Sequence, residues 1–210
     1  TTLIYEILKK AGYKTSVITS VNAVIAGKTY DTGFHVTTPD AFFVQKYLRE
    51  AVDHGDTHVV LEVTSHGLAQ HRVTGIGFEV GVITNVTHEH LDWHRTFEEY
   101  RTTKISLLCR AKTAVINKDE VDLYSAAMPN LGNKRVITYG IRRESDVTPR
   151  SYPFSMKIPG EFNTYNALAA LAASLALRIS PKTALLAVSE FPGIPGRMET
   201  MWPWIWNWPT

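Results

Sequence analysis

Between His58 and His94 the sequence gathers side chains that could hold a metal, a phosphate or a carboxylate. An apolar run, His58 to Val63, carries Glu62 near its end and breaks into Thr64-Ser65-His66-Gly67. A second run, Val80 to Thr84, ends at Asn85 and opens into a stretch with His88, Glu89, His90, Asp92 and His94. Short, continuously apolar segments read as buried strands, and the space just past strand C-termini is where open α/β sheets bind ligands. The chemistry indicated is a site for a metal-bound nucleotide and its substrate.

Taken singly, these residues have less pointed readings as well. Glu62 suits a hard cation such as magnesium, which prefers oxygen ligands, but it reads equally as a helix cap or a salt-bridge partner. His90 lies between Glu89 and Asp92 and could ligate a metal or hold a carboxylate, although a loop histidine is more often simply solvated. His71, His88 and His94 are read as solvated. Neither HExxH nor CxxC occurs, so a zinc site is not indicated. Arg72 and Arg197, the latter in the Gly/Pro-rich turn Gly193-Ile194-Pro195-Gly196-Arg197, could clamp phosphates or carboxylates. Asn163 and Asn166, three apart at a helix start, read as a cap and its neighbour or as readers of an adenine edge. Thr37 and Thr38 either cap a helix or direct hydroxyls and amides at an anion. Lys104 reads as a surface lysine. No complete GxxxxGK[ST] loop is present, although Thr1-Thr2 at the head of a helix is what such a loop would leave behind if it ended just upstream.

The elements that must position these groups follow from periodicity. Leu3, Ile4, Ile7, Leu8 and Ala11 recur at helical spacing, and Lys14 to Thr19 follows as a strand. Residues 20 to 36 read as loop. Thr38-Pro39-Asp40 reads as a helix start with a threonine cap, and Phe42, Phe43, Tyr47, Leu48, Ala51 and Val52 as the buried face of that helix. Thr96-Phe97-Glu98-Glu99 is a capping box opening a helix to about Cys109, followed by a strand over Thr113 to Asn117. From Glu120 to Gly160 the spacing predicts a small peripheral β section, with strands Arg135 to Tyr139 and Phe154 to Ile158. An Ala/Leu helix runs to about Leu177, and Ser180-Pro181 starts another that ends at Glu190. Strands alternating with helices predict an α/β fold, a mostly parallel sheet flanked by helices in one domain.

Composition narrows the class. The chain has 210 residues, of which 44% are hydrophobic and 20% charged, with a net charge of +2, an ordinary globular balance without the basic stripe of a nucleic-acid binder. Cys109 is alone, so no disulfide framework is expected. No apolar run approaches the roughly 18 residues of a membrane span, and a cytoplasmic monomer is expected. The last residues, Met201 to Thr210, hold four of the five tryptophans. In a shifted frame their codons decode to an ordinary strand-like sequence, so a frameshift near residue 200 is the expected origin of this tail.

Together these motifs resemble the central ATPase domain of the Mur ligases, over roughly residues 1 to 199. Glu62-Val-Thr-Ser-His-Gly-Leu-Ala-Gln-His-Arg72 is similar to the family's EVSSHGLxQHR, with Thr64 replacing a serine. Thr84-Asn-Val-Thr-His-Glu-His-Leu-Asp92 is similar to TN(L/V)xxDHLD, with Glu89 replacing an aspartate. The resemblance implies a P-loop-type central domain and an ADP-forming acid–amino-acid ligase. ATP would phosphorylate the D-Glu carboxylate of UDP-N-acetylmuramoyl-L-Ala-D-Glu. A diamino acid, diaminopimelate or lysine, would then displace the phosphate to form an amide in peptidoglycan precursor synthesis. It also implies residue roles: Glu62, His90 and a CO2-carbamylated Lys104 at magnesium; Thr37, Thr38, Thr64, Ser65 and Arg72 at the muramoyl peptide; Asn163, Asn166 and Arg197 at ATP. The family's phosphate loop would end before Thr1, and its N- and C-terminal domains find no counterpart, so the chain is expected to be a fragment that neither hydrolyses ATP appreciably nor ligates. Competing expectations are a folylpolyglutamate or cyanophycin synthetase, or a non-catalytic nucleotide- or partner-binding module.

Overall fold

The computed structural model describes residues 1–31, 38–85 and 96–194. The elements run α1 (Thr2–Lys10), β1 (Thr15–Ile18), β2 (Asn22–Ile25), β3 (Lys28–Asp31), α2 (Ala41–His54), β4 (His58–Leu61), α3 (Ser65–Ala69), β5 (Phe78–Ile83), α4 (Phe97–Arg110), β6 (Ala111–Asn117), α5 (Val121–Leu131), β7 (Arg135–Tyr139), α6 (Glu161–Ala176) and α7 (Pro181–Glu190).

The strands form two sheets, ordered β3-β2-β1-β4 and β5-β6-β7. The second is parallel throughout, with Gly81 opposite Ala114 and Ala114 opposite Val136. Its middle strand, β6, is buried on both faces and is accordingly a near-continuous apolar run. Val115 faces a core shared with α1, α6 and α7, whereas Ala114 and Ile116 face Tyr100, Ile105 and Leu108 of α4 and Leu123 and Ala127 of α5. Helix α6 is the pillar of the first core, since every residue from Ala167 to Ser174 is buried. Its alanines from Ala167 to Ala172, with Leu168 and Leu171, are buried in one cluster with residues of α1, α7 and the parallel sheet. In the other sheet β1 and β4 pair in parallel, Val17 opposite Val60.

The α/β class with helices flanking a parallel sheet stands, but four local expectations do not. Residues 20 to 36 are not all loop, because Asn22–Ile25 and Lys28–Asp31 form an antiparallel hairpin. Its two-residue turn, Ala26-Gly27, has φ of 53° and 77°, the conformation that matches strand twist. Helix α2 is capped by Asp40, whose Oδ1 accepts from Phe43 N at 3.2 Å, rather than by Thr38. Its buried stripe is Val44, Tyr47 and Ala51, leaving Phe42, Phe43 and Val52 exposed. Finally, the segment from 120 to 160 is not a peripheral β section. Residues 154–158 form no strand, Val121–Leu131 is a helix despite Pro129, and β7 pairs with the central strand β6. The peripheral strands are those of the β2–β3 hairpin.

Candidate functional site

The end of β4 organises the first half of the site. Glu62 N donates to Ile18 O at 2.8 Å, continuing the β1–β4 ladder one residue beyond the strand. There the chain turns, and Thr64 caps α3 by accepting from Gly67 N at 3.1 Å. Thr38 is fully buried against this turn. Its hydroxyl donates to Glu62 O at 3.0 Å and accepts from Thr64 N at 2.9 Å, which stitches the approach to α2 onto the end of β4. The fit leaves no room for a side chain at Gly67, where a Cβ would lie 2.7 Å from Thr38 Oγ1.

Arg72 is turned back onto the same place. His71 takes a left-handed backbone, φ 57°, uncommon for a residue with a side chain. Arg72 then donates from Nη1 to Thr38 O at 2.5 Å and from Nε to Gln70 Oε1 at 2.8 Å. Glu62 is half-buried, and its Oε1 accepts from Ser20 Oγ at 3.0 Å. Thus five residues singled out from the sequence, Thr38, Glu62, Thr64, Ser65 and Arg72, gather around one strand end, with Ser65 buried at the start of α3.

Lys104 is not a free surface lysine. From the second turn of α4 its Nζ donates to Asn85 O at 3.0 Å and lies 4.8 Å from the centre of the Tyr100 ring, so it sits at the C-terminal end of β5. Buried Tyr139 secures that strand end by donating to the carbonyls of Ile83 and Thr84 at 3.2 and 3.3 Å. Burial raises the Tyr139 pKa, keeping its hydroxyl a donor. Thr37, His90 and Arg197, with His88, Glu89, Asp92, His94 and the Trp-rich tail, lie outside the described residues.

The two α6 asparagines part company. Asn163 is buried and its Nδ2 donates to Pro159 O at 2.7 Å, locking the turn into the helix, whereas Asn166 is exposed. Between them stands a feature the sequence reading passed over. Tyr165 OH donates at 2.9 Å to Asp119, two residues past the end of β6. The Asp119 carboxylate also accepts from the backbone N–H groups of Ile141, Arg142 and Arg143 at 2.6, 3.0 and 2.8 Å. The available signal was Asn117-Lys118-Asp119 directly after an apolar strand, the pattern that marked Glu62.

Burial tends to raise the Asp119 pKa, but these hydrogen bonds prevail and hold it below the usual carboxylate range. Tyr165 is pushed up to about 12, by burial first and then by Asp119. A carboxyl depressed in the folded state contributes stability that is present above the ordinary carboxylate pKa and is lost as pH falls through the folded value. Asp119→Asn is therefore expected to cost stability at pH 7 and to flatten the fall below about pH 4 in denaturation midpoint against pH. Equal acid limbs in the two proteins would contradict this.

A cavity of about 350 Å³ opens beside the end of β6, lined by Phe97, Arg101, Asp119, Glu120 and Asp122 among others. Burial and the neighbouring Asp119 and Asp122 raise the Glu120 pKa. Among the described residues, no three His, Cys, Asp or Glu side chains converge as a ready metal cage.

With this geometry in hand, the comparisons are consistent with one another. A family model described as the Mur ligase middle domain matches residues 1–174. The UDP-N-acetylmuramoyl-L-alanyl-D-glutamate--2,6-diaminopimelate ligase of Clostridium botulinum is 34% identical over 217 residues, covering 95% of this chain and 44% of that protein. The Geobacillus kaustophilus protein of the same name is 36% identical over 228 residues, covering 96% of this chain and 46% of the relative. A solved structure of a ligase with this name superposes with a TM-score of 0.80 at 26% identity, covering 94% of this chain and 45% of that one. A pseudomurein peptide ligase type C from Methanothermus fervidus, at TM-score 0.68 and 21% identity over 94% of this chain and 47% of its own, shares the fold. The chain spans less than half the length of the curated relatives it matches.

Proposed function

The chain belongs to the Mur ligase family, and from that premise we propose that it is the nucleotide and substrate domain of an ADP-forming ligase. The reaction adds 2,6-diaminopimelate to UDP-N-acetylmuramoyl-L-Ala-D-Glu in peptidoglycan precursor synthesis. The observation that carries this reading is the convergence of Thr38, Glu62, Thr64 and Arg72 at the end of β4, in a chain whose relatives are named for that activity. A folylpolyglutamate or cyanophycin synthetase, or a non-catalytic module, is not favoured by those names.

Each residue has a physical task in this reading. Arg72 is held by Thr38 and Gln70 and directs its remaining guanidinium donors at a substrate carboxylate. Thr38, Thr64 and Ser65 shape the ledge on which the muramoyl peptide would rest, and Thr37 is assigned to the same substrate by the family motif. Glu62 offers a half-buried carboxylate beside the Ser20 hydroxyl, hard oxygen donors that suit magnesium. With His90 and a carbamylated Lys104, Glu62 would hold the cation, which when bound neutralises charge between phosphate and carboxylate. Addition of CO2 to the Lys104 amine, with loss of a proton, would give a carbamate whose oxygens could serve as a ligand at the end of β5. Asn163, Asn166 and Arg197 form the nucleotide side. ATP passes its γ-phosphoryl group to the D-Glu carboxylate, and the incoming amine expels phosphate as the amide forms. Such transfer relies mostly on positioning and charge compensation. Among the described residues no helix is long and apolar enough to cross a membrane. Independently of that, the proposed substrates, made of soluble nucleotide and amino acid, fit a cytoplasmic monomer.

The test is calorimetric titration with UDP-N-acetylmuramoyl-L-Ala-D-Glu. Arg72→Ala is expected to weaken binding roughly 10- to 100-fold, the worth of a charge-assisted hydrogen bond. Binding unchanged by Arg72→Ala would remove the ledge from the substrate path.

A further inference from the structure

We propose that Asp119 and Tyr165 are positioning residues for the nucleotide, a pair that fixes the N-terminal two turns of α6 and so the direction in which Asn166 is presented. The proposal rests on the reading of α6 as the nucleotide side. Neither residue belongs to the sequence motifs, and both act through others.

The geometry is that of a tie between three separate parts of the chain. Asp119 lies two residues beyond β6, and its own N–H donates to Asn117 Oδ1 at 3.0 Å, which fixes the carboxylate relative to the strand end. One of its oxygens, Oδ2, takes Ile141 N, Arg142 N and the Tyr165 hydroxyl, while Oδ1 takes Arg143 N. The segment after β7 is thus wrapped around one carboxylate. It can approach that closely because residue 140 is glycine, where a Cβ would stand 3.1 Å from Asp119 Cγ. Tyr165 then extends the same carboxylate to α6. It sits one residue before exposed Asn166 and two after Asn163, whose amide is already committed to Pro159 O. A second tie runs parallel to the first, with Arg142 Nη2 2.7 Å from Glu161 Oε1. That pair is exposed on both sides and adds little energy by itself. The Tyr165–Asp119 bond is the partly buried one, made to an ionised acceptor, and it decides where the N-terminal two turns of α6 rest.

The tie joins the end of a sheet strand to the helical turn that carries both candidate adenine-side asparagines. Its placement sets the nucleotide side against the strand-end platform, and a small shift of α6 would move Asn166 without touching the ledge around Thr38.

The decisive variant is Tyr165→Phe, which keeps the ring and removes the donor. Three readouts are taken on the 210-residue chain: ATP affinity by ligand-observed NMR, affinity for UDP-N-acetylmuramoyl-L-Ala-D-Glu, and amide hydrogen exchange. ATP binding is expected to weaken about tenfold, the loss of one hydrogen bond to a charged group, with the muramoyl peptide within about twofold of wild type. Exchange should quicken in residues 163–167 and stay unchanged in β5 and α4. If exchange quickens but ATP affinity does not move, the pair is merely structural and the proposal falls, with the nucleotide reading intact. If both ligands weaken alike, a general loosening explains the data and the proposal also falls. If the wild-type chain binds neither ATP nor adenosine, a probe that needs no phosphate loop, the nucleotide reading of α6 fails and the proposal with it, an outcome seen before any variant is compared.

Discussion

Glu62→Gln is expected to reduce divalent-cation affinity at the ATP site by at least about 100-fold, the upper end of what is lost when a group that only supports a metal ligand is removed. The substitution is chosen because glutamine keeps the shape and an oxygen that can still accept from Ser20 Oγ, now 3.0 Å from Oε1. The backbone ties of residue 62, to Ile18 O through its N–H and from Thr38 through its carbonyl, do not involve the carboxylate. Only the charge is lost. Manganese, a spectroscopic substitute for magnesium, reports the change through water-proton relaxation in the presence of ATP. A Glu62→Gln chain that retains manganese affinity within threefold would mean that the carboxylate is a structural partner of Ser20 and no ligand.

Leu168→Ala is expected to cost about 3 kcal/mol of unfolding free energy, since it empties a fully buried leucine site in close-packed surroundings. Leu168 lies on α6 within the cluster that joins α1, α7 and the parallel sheet, where flanking alanines have little side chain with which to fill a void. For a chain of this length that corresponds to roughly 6–12 °C in melting temperature. Leu186, 44% exposed on α7, supplies the contrast, and Leu186→Ala should stay within about 0.5 kcal/mol. Chemical denaturation reads both. A small loss at Leu168 would mean that α6 is not the pillar on which the nucleotide side stands.

Much of this arrangement was legible because its signals are local. The cap of Thr96 on Glu99 N, the proline at the first turn of α7 and the apolar runs of β4, β5 and β6 are written in adjacent residues. Glu62 and its neighbours were legible because chemistry collects where an apolar strand stops. The misreadings have physical causes too. Alanine rather than asparagine or aspartate opens the Ala26-Gly27 turn, so the β2–β3 hairpin lacked its usual signature. In α2 two apolar stripes overlap, and the one with the larger aromatics, Phe42 and Phe43, faces solvent while burial follows Val44, Tyr47 and Ala51. Pro129 stands in the last turns of α5 and disguised that helix. Thr38 read as a cap because capping is a local habit of threonine, whereas its partners, Glu62 and Thr64, are 24 and 26 residues away. The Asp119–Tyr165 tie spans 46 residues, and no periodicity announces a contact of that kind.

The most direct test of the account is an amide chemical-shift map of the 15N-labelled chain titrated with magnesium-ATP and UDP-N-acetylmuramoyl-L-Ala-D-Glu. Perturbations are expected at Thr38, Glu62, Thr64 to Gly67 and Arg72 for the muramoyl peptide, and at Lys104 and residues 161–166 at the start of α6 for the nucleotide. Residues 153–155 and Lys182, Leu185 and Leu186 of α7 line a separate open groove; perturbations confined to that groove, or none at millimolar ligand, would overturn the assignment.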